Sequence, residues 1–238
     1  LVPISIVSNE VNTRSSPDNN VGNEYDEYKF IYQYDEDSDY EYYETLEDAI
    51  GQVELWGAGI ITVRGGRYSG DEFRGITLEG EHEVTIKAYG DEEVIFDCGN
   101  EDYFLHLTYE TIVTPTPKPP YVEIEQTEGP TVTLENITVI NGHNLEGGAI
   151  ELDAGTLTLV NCNFDSNRAD RGGVIYIGSV SAENGATVIG LNTTFTNNYA
   201  SDEGGAVYIK GALLQDVSAS FYLCTFLDNH QGEDEETS

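Results

Sequence analysis

The chain has 238 residues, with 44 acidic and only 10 basic side chains, so its formal net charge is −34 at pH 7. A field of that sign repels nucleic acid, anionic membranes, polyuronates and sulfated glycans, and it favours calcium or a basic partner surface. The sequence has no run of the roughly 18 apolar residues that a membrane span needs, and its three cysteines are too scattered for a disulfide framework.

Residues 1–44 differ from the rest of the chain. Leu1–Val7 is apolar enough to form a strand, and residues 25–43 alternate acids with tyrosines. Phe30-Ile31-Tyr32 favours an edge strand packed on the body over a disordered tail. We predict an acidic, tyrosine-rich segment at 1–44 and one domain at 45–238. We also predict that Leu1–Val7 pairs with a β-edge of this chain or of a neighbour.

A short amphipathic helix is predicted directly after this segment. Thr45 is a suitable N-cap, and Asp48 stands in the capping-box position. One apolar stripe follows at Leu46, Ala49, Ile50 and Val53. Such a helix would cover the open end of a stack of β-strands, whose unpaired edge otherwise invites aggregation.

Short β-strands alternate with turns from Gly59 onward. The predicted strands are Ile60–Val63, Ile76–Leu78, Val84–Ala88, Val94–Phe96, Phe104–Thr108, Tyr121–Ile124 and Val132–Leu134. The proline-rich stretch Thr114–Pro120 predicts a polyproline-type excursion between two strands.

Two phrases then recur. Gly-Gly followed by two apolar residues begins at Gly147, Gly172 and Gly204, and Phe-x-x-Asn begins at Phe164, Phe195 and Phe226. Repeats with this period form solenoids, in which each unit buries its apolar face against its neighbours. The apolar runs are short and β-branched, so we predict an all-β fold: a right-handed parallel β-helix with a short N-terminal capping helix.

Aligning the repeats predicts vertical columns of like residues. The phenylalanines of Phe-x-x-Asn would stack in the core, and the asparagines of the same phrase would occupy a turn with left-handed backbone. A second column of Asn136, Asn161 and Asn192 would form a buried amide ladder. We therefore expect the glycosylation sequons at Asn136 and Asn192 to be unmodified.

The paired phrases resemble the repeats of chlamydial polymorphic outer-membrane proteins and the adhesin-like surface proteins of methanogenic archaea. The resemblance covers roughly residues 45–230 by pattern. It implies a parallel β-helix of the pectate-lyase type, displayed outside the cell and without a common catalytic set.

Tyr176 and Tyr208 are candidate ligand-binding residues. If Ile175 and Ile177 point inward, strand alternation places Tyr176 outside, level with Glu151 and Tyr208. Exposed aromatic rings in a column could stack a sugar ring, and they could equally be ordinary surface filling.

Calcium is the predicted cofactor. Asp97, Asn100 and Asp102, with Glu101 between them, form an oxygen-rich turn of the type that hard cations use. Asp170 and Asp202 are predicted to stack on adjacent repeats, where two like charges invite a cation. The alternative at both places is that the carboxylates simply point into water.

The sequence predicts a binding protein and no catalytic residue, because no carboxylate pair stands beside a histidine or a basic residue. We expect an extracellular, cell-surface adhesin-like protein whose partner is a host or neighbouring cell surface or a glycan. A self-assembling filament or envelope subunit is the alternative, and a carbohydrate-active enzyme is the third. The absence of an initiator methionine and of a signal segment suggests a mature or excised piece of a secreted protein.

Overall fold

The computed structural model describes residues 28–119, 122–178, 185–210 and 217–232, so the predicted pairing of Leu1–Val7 lies outside the described residues. Within those ranges the chain is mostly β. It has one α-helix (α1, Leu46–Trp56), one 3₁₀ turn (Asp71–Phe73) and strands β1 to β25 in chain order. Each strand predicted between residues 60 and 134 is present, with its ends within two residues of the predicted ones.

Successive repeats contribute strands that lie side by side in four sheets. The first sheet, in spatial order, holds β2 (Glu41–Tyr43), β1 (Phe30–Gln33), β3 (Ala58–Val63), β6 (Glu83–Ala88), β11 (Thr131–Glu135), β15 (Gly155–Val160), β19 (Ala186–Leu191) and β23 (Val217–Tyr222). The second holds β4 (Gly66–Ser69), β7 (Val94–Asp97), β12 (Ile137–Ile140), β16 (Asn163–Asp165), β20 (Thr194–Thr196) and β24 (Thr225–Leu227). The third holds β13 (His143–Glu146), β17 (Arg168–Arg171), β21 (Tyr199–Glu203) and β25 (His230–Gln231). The fourth holds β5 (Ile76–Glu79), β8 (Leu105–Thr108), β14 (Ile150–Leu152), β18 (Ile175–Gly178) and β22 (Val207–Lys210).

Pairing between repeats is parallel and brings equivalent residues together. Phe164 lies opposite Phe195, and Phe195 lies opposite Phe226. The ring centroids are 5.4 and 4.6 Å apart, with the planes nearly parallel. Phe164 and Phe195 are fully buried, which confirms that the phenylalanine column belongs to the core.

Helix α1 and a β-hairpin cover the N-terminal end of the first sheet. The Thr45 hydroxyl accepts a hydrogen bond from the Asp48 amide at 3.1 Å, and the predicted apolar stripe of α1 is buried. Strand β1 pairs antiparallel with both β2 and β3. Phe30-Ile31-Tyr32 is at most 2% exposed, so this part of the acidic segment is packed on the body as predicted.

The two asparagine columns have the opposite environments to those predicted. The first column consists of exposed turn residues with φ near +50°: Asn136, Asn161 and Asn192. The expectation of a buried ladder there is therefore wrong. Burial no longer argues against glycosylation at Asn136 and Asn192. Asn167 and Asn198 are instead the buried amides. In the same turn, the left-handed backbone belongs to the residue before each of them, Ser166 and Asn197.

The Gly-Gly phrases form a tight corner between the third and fourth sheets. The first glycine of each pair has a φ between 66° and 73°, which favours glycine. A Cβ on the second glycine, Gly148 or Gly173, would collide with the carbonyl oxygen of the equivalent glycine in the next repeat. Only glycine therefore lets adjacent repeats approach this closely.

The proline-rich excursion belongs to an antiparallel hairpin, in which Thr114 and Pro115 end the first strand and residues 116–119 lie in the connection. Strands β9 (Thr111–Pro115) and β10 (Val122–Gln126) pair antiparallel over five residue pairs. All of β9 and most of β10 are exposed. The hairpin is therefore an exposed insertion between β8 and β11.

Candidate functional site

Outward-facing side chains of the third and fourth sheets meet across the Gly-Gly turns, in a line that we call the glycine corner. The Asn144 side-chain amide on β13 donates to a Glu151 carboxylate oxygen on β14 at 3.1 Å. Within the third sheet, Arg171 on β17 binds its neighbour Glu146 on β13 at 2.8 Å. Contacts between the outer faces of two adjoining sheets require that the surface be concave at this corner.

His106, Glu151 and Asp153 come together on the fourth-sheet side of the glycine corner. His106 on β8 lies opposite Glu151 on β14, and Asp153 follows that strand directly. His106 Nε2 is 3.1 Å from Asp153 Oδ2. One ligand atom from each residue lies within 4.8 Å of the others, and in the described part of the chain no other three His, Cys, Asp or Glu side chains meet this closely. The sequence-based statement that no histidine stands beside a carboxylate pair is therefore wrong.

The environment shifts the titration of two of these groups. Burial opposes the charged form of His106, but the hydrogen bond to Asp153 and the charges of Glu151, Asp153 and Glu79 outweigh it, so the pKa of His106 lies above its usual value. Burial also raises the pKa of Glu151, against the opposing effect of His106. The cluster therefore holds protons more tightly than isolated side chains would.

Tyr176 and Tyr208 lie beside this cluster, but they do not form the predicted exposed platform. Strand register places Tyr176 between Glu151 and Tyr208, as alternation predicted. Tyr176 is only 1% exposed, because it lies in the concave corner beneath Tyr208, whose ring centroid is 5.7 Å away. Burial and nearby Glu146 raise the pKa of Tyr176. Among the described residues its hydroxyl makes no hydrogen bond of ordinary geometry, although Glu146 lies near enough to act on it as a weak acceptor.

The predicted calcium turn near Asp97 is engaged in other contacts. One Asp97 oxygen pairs with Arg67 at 2.5 Å, and the other accepts a hydrogen bond from the Asn141 amide at 2.8 Å. An Asp102 oxygen accepts from the Tyr103 amide at 2.8 Å. Asn100 is the left-handed residue of the turn, with φ 59°. The arginine and the amides occupy oxygens that calcium would need, and among the described residues Asp97, Glu101 and Asp102 do not converge as a group of three ligands.

Asp170 lies opposite two residues of the next repeat, Ser201 and Asp202. The register between β17 and β21 shifts between Ala169 and Arg171, so one extra residue of β21 is accommodated there. The Ser201 hydroxyl donates to the Asp170 carboxylate at 2.9 Å. Asp170 thus already has one polar partner, and a cation shared with Asp202 stays a prediction.

A second candidate site, which sequence reasoning missed, is an aromatic pocket beside the N-terminal hairpin. This pocket, about 550 Å³ in volume, is lined by Tyr32, Tyr34, Ser38, Asp39, Glu41 and Trp56. The side chains of Tyr34 and Trp56 are 48% and 60% exposed. The available signal was the single tryptophan of the chain, at the end of a helix beside the acid–tyrosine tract.

One family model matches part of the chain. Residues 192–210 match the Chlamydia polymorphic membrane protein repeat; this segment holds β20, β21 and β22, with one Phe-x-x-Asn phrase and one Gly-Gly phrase. The match supports the likeness to the chlamydial repeats and does not extend to the archaeal surface proteins. No curated protein and no solved structure matches the chain. The described residues include no helix long and apolar enough to cross a membrane. Residues 192–210 are thus similar to a repeat of a surface-exposed outer-membrane protein family, within a chain that is mostly β.

Proposed function

We propose that this protein is an extracellular, surface-displayed, adhesin-like β-helix that binds a cell-surface or carbohydrate ligand without catalysis. The observation that carries the proposal is the repeat match at residues 192–210, because the matched repeat belongs to surface proteins. The strand register adds support, since equivalent strands of successive repeats pair in parallel in all four sheets. Parallel strands joined by such crossovers are almost always right-handed.

The aromatic pocket supports a carbohydrate ligand. Exposed tyrosine and tryptophan rings stack on the apolar faces of sugars, and their polar tips stay hydrated. Asp39 and Glu41 line the same pocket and can accept hydrogen bonds from sugar hydroxyls. With a net charge of −34, the protein disfavours anionic glycans, so the proposed ligand is neutral or carries a positive charge.

The test is a glycan array followed by titration calorimetry of the best neutral oligosaccharide. Trp56→Ala should weaken binding at least tenfold, because stacking on the exposed ring is lost. Leu55→Ala is the matched control, since Leu55 is 69% exposed on the same turn of α1 and does not line the pocket. Equal binding by the wild type and Trp56→Ala would remove the pocket from the proposal.

Glycoside hydrolysis is the alternative that must be tested. Glycosidases place two carboxyl groups about 5–9.5 Å apart on either side of the scissile bond. Glu151 and Asp153 are the pair to examine, since one oxygen of each lies within 4.8 Å of the other at the glycine corner. Incubation with neutral polysaccharides should release no reducing ends. Release that is lost in Glu151→Gln would establish an enzyme instead.

Self-association is a second candidate function, supported by the last described repeat. Its large apolar side chains remain exposed, with Phe226 at 47%, Leu227 at 54% and Tyr222 at 69%. A row of strands open on one side can pair with another chain. Sedimentation velocity across a hundredfold concentration range should reveal oligomers that dissociate in Phe226→Glu. A constant monomer mass would contradict this candidate.

A further inference from the structure

We propose that His106, Glu151 and Asp153 bind one divalent transition-metal ion at the glycine corner. Imidazole nitrogen and carboxylate oxygen are the donors that zinc and related ions take in proteins. A ligand atom of each residue already lies within 4.8 Å of the other two, so an ion at about 2.0–2.2 Å from each donor fits with small side-chain adjustments.

The three ligands stand on a rigid base. His106 and Glu151 are paired residues of neighbouring parallel strands, so their separation is held by the sheet. Asn144 orients the Glu151 carboxylate through its side-chain amide, in the manner of an outer-shell partner that fixes a metal ligand. The side chains of His106 and Asp153 are 21% and 14% exposed, which shields the site yet leaves an approach for an ion.

Tyr176 borders the cluster on the side of the next repeat. Its side chain is only 1% exposed, and its ring extends over Gly178, where the hydroxyl oxygen would lie 2.7 Å from an added Cβ. Gly178 and Asp153 each follow a paired residue of the adjacent strands β18 and β14, so the ring lies level with Asp153. The hydroxyl makes no hydrogen bond of ordinary geometry among the described residues, and Glu146, across the glycine corner, is the carboxylate that acts on it most strongly.

The donor set distinguishes this site from the calcium turn that the sequence predicted. Calcium takes six to eight oxygen ligands, and imidazole is not among its usual donors. Here a nitrogen and two carboxylates converge, which suits zinc with one or more waters completing the shell. The ion replaces the proton shared by His106 Nε2 and Asp153 Oδ2, so binding to the protonated cluster releases a proton.

The experiment is titration calorimetry of the full chain with ZnCl₂ at pH 7.5, in two buffers of different ionisation enthalpy. We expect one ion per chain and an observed binding enthalpy that differs between the two buffers, because the protons released on binding are taken up by the buffer. His106→Gln, Glu151→Gln and Asp153→Asn should each weaken binding at least tenfold. His143→Gln and Asp170→Asn are matched controls, because both replace exposed residues outside the cluster, and they should bind as the wild type does.

Several outcomes would overturn the proposal. Absence of a one-to-one zinc isotherm would do so, as would unchanged affinity in His106→Gln, which would place the ion elsewhere. Calcium binding that depends on Glu151 but not on His106 would show an all-oxygen site instead. Circular dichroism melts establish that each variant is folded. If His106→Gln does not fold, Asp153→Asn decides the outcome, since zinc affinity equal to that of the wild type then contradicts the site.

Discussion

The side-chain amide of Asn167 donates to the side-chain oxygen of Asn198 at 3.1 Å, and both residues are at most 1% exposed. Asn198 Oδ1 also accepts from the Asn167 backbone amide at 2.9 Å, and its own amide nitrogen reaches Phe164 O at 3.1 Å. Asn229 continues the ladder by accepting from Asn198 at 2.8 Å. This column links three repeats and satisfies backbone groups that the turn removes from the sheets.

Asn198→Ala should lower the free energy of unfolding by about 3 kcal/mol, because the backbone N–H of Asn167 and the carbonyl of Phe164 would lose the partners that Asn198 supplies. Urea denaturation monitored by circular dichroism measures the change. The control is Asn192→Gly, which keeps the left-handed backbone and removes one exposed hydrogen bond to Asn161. That variant should lose less than about 1 kcal/mol. Equal losses of unfolding free energy in the two variants would show that burial of the Asn167–Asn198 ladder does not contribute to stability.

Phe195→Ala should destabilise the protein by about 3–5 kcal/mol, as expected for removal of a fully buried aromatic ring. Phe226→Ala is the internal comparison, because Phe226 occupies the same column but is 47% exposed. Phe226→Ala should lower the free energy of unfolding by about half as much, since the Phe226 side chain buries less apolar surface. Chemical denaturation of the two variants side by side tests the ranking, and a near-neutral Phe195→Ala would remove the column from the core.

The sequence predicts best what depends on local signals. The cap at Thr45 and the apolar stripe of α1 lie within nine residues of each other, and the structure has both. The phenylalanine column follows from a period that the chain repeats without interruption. The sequence locates both asparagine columns but assigns them the wrong environments. Every asparagine tolerates left-handed backbone, so residue type alone does not distinguish an exposed turn column from a buried one. In the Asn197-Asn198 pair the backbone decides which residue turns and which is buried.

The cluster at the glycine corner could not be predicted for a different reason. His106 and Glu151 are 45 positions apart, and the hairpin β9–β10 between their strands interrupts the repeat period that would align them. The outward direction of Tyr176 followed from strand alternation. The burial of Tyr176 does not follow from alternation. It depends on the angle between two sheets, and the sequence pattern of a single strand gives no information about that angle.

Gly173→Ala should prevent the wild-type fold or lower its melting temperature severely. A Cβ there meets the carbonyl oxygen of Gly205 and the backbone of Tyr199, and neither can move without separating repeats. Gly51→Ala is the opposite case, since a Cβ in the middle of α1 meets no atom within 4 Å. It should raise stability by about 0.5–1 kcal/mol, as alanine is the better helix former. Thermal denaturation of both variants tests the contrast, which a tolerated Gly173→Ala would contradict.

Protonation of His106 should stabilise the fold, and this contribution should disappear as the pH rises. The pKa of His106 is raised in the folded state, so its stabilising effect is complete below the unfolded value near 6.5 and is lost as the pH rises through the folded value. The pKa of Glu151 is also raised in the folded state. Ionisation of Glu151 therefore also lowers the stability as the pH rises, and this loss begins at lower pH than that of His106. Glu151, Asp153 and Glu79 are the charges that favour the protonated imidazole.

Urea denaturation at half-unit steps from pH 5.5 to 8.5, with a chelator present to exclude metal ions, measures this dependence. Stability of the wild type should fall across the range. His106→Gln should show a shallower fall because a neutral amide carries no titrating charge, and His143→Gln should match the wild type. The difference between wild type and His106→Gln isolates the histidine from the general repulsion of an acidic chain, which both proteins share. Identical slopes in the two would mean that the His106–Asp153 pair does not couple protonation to folding.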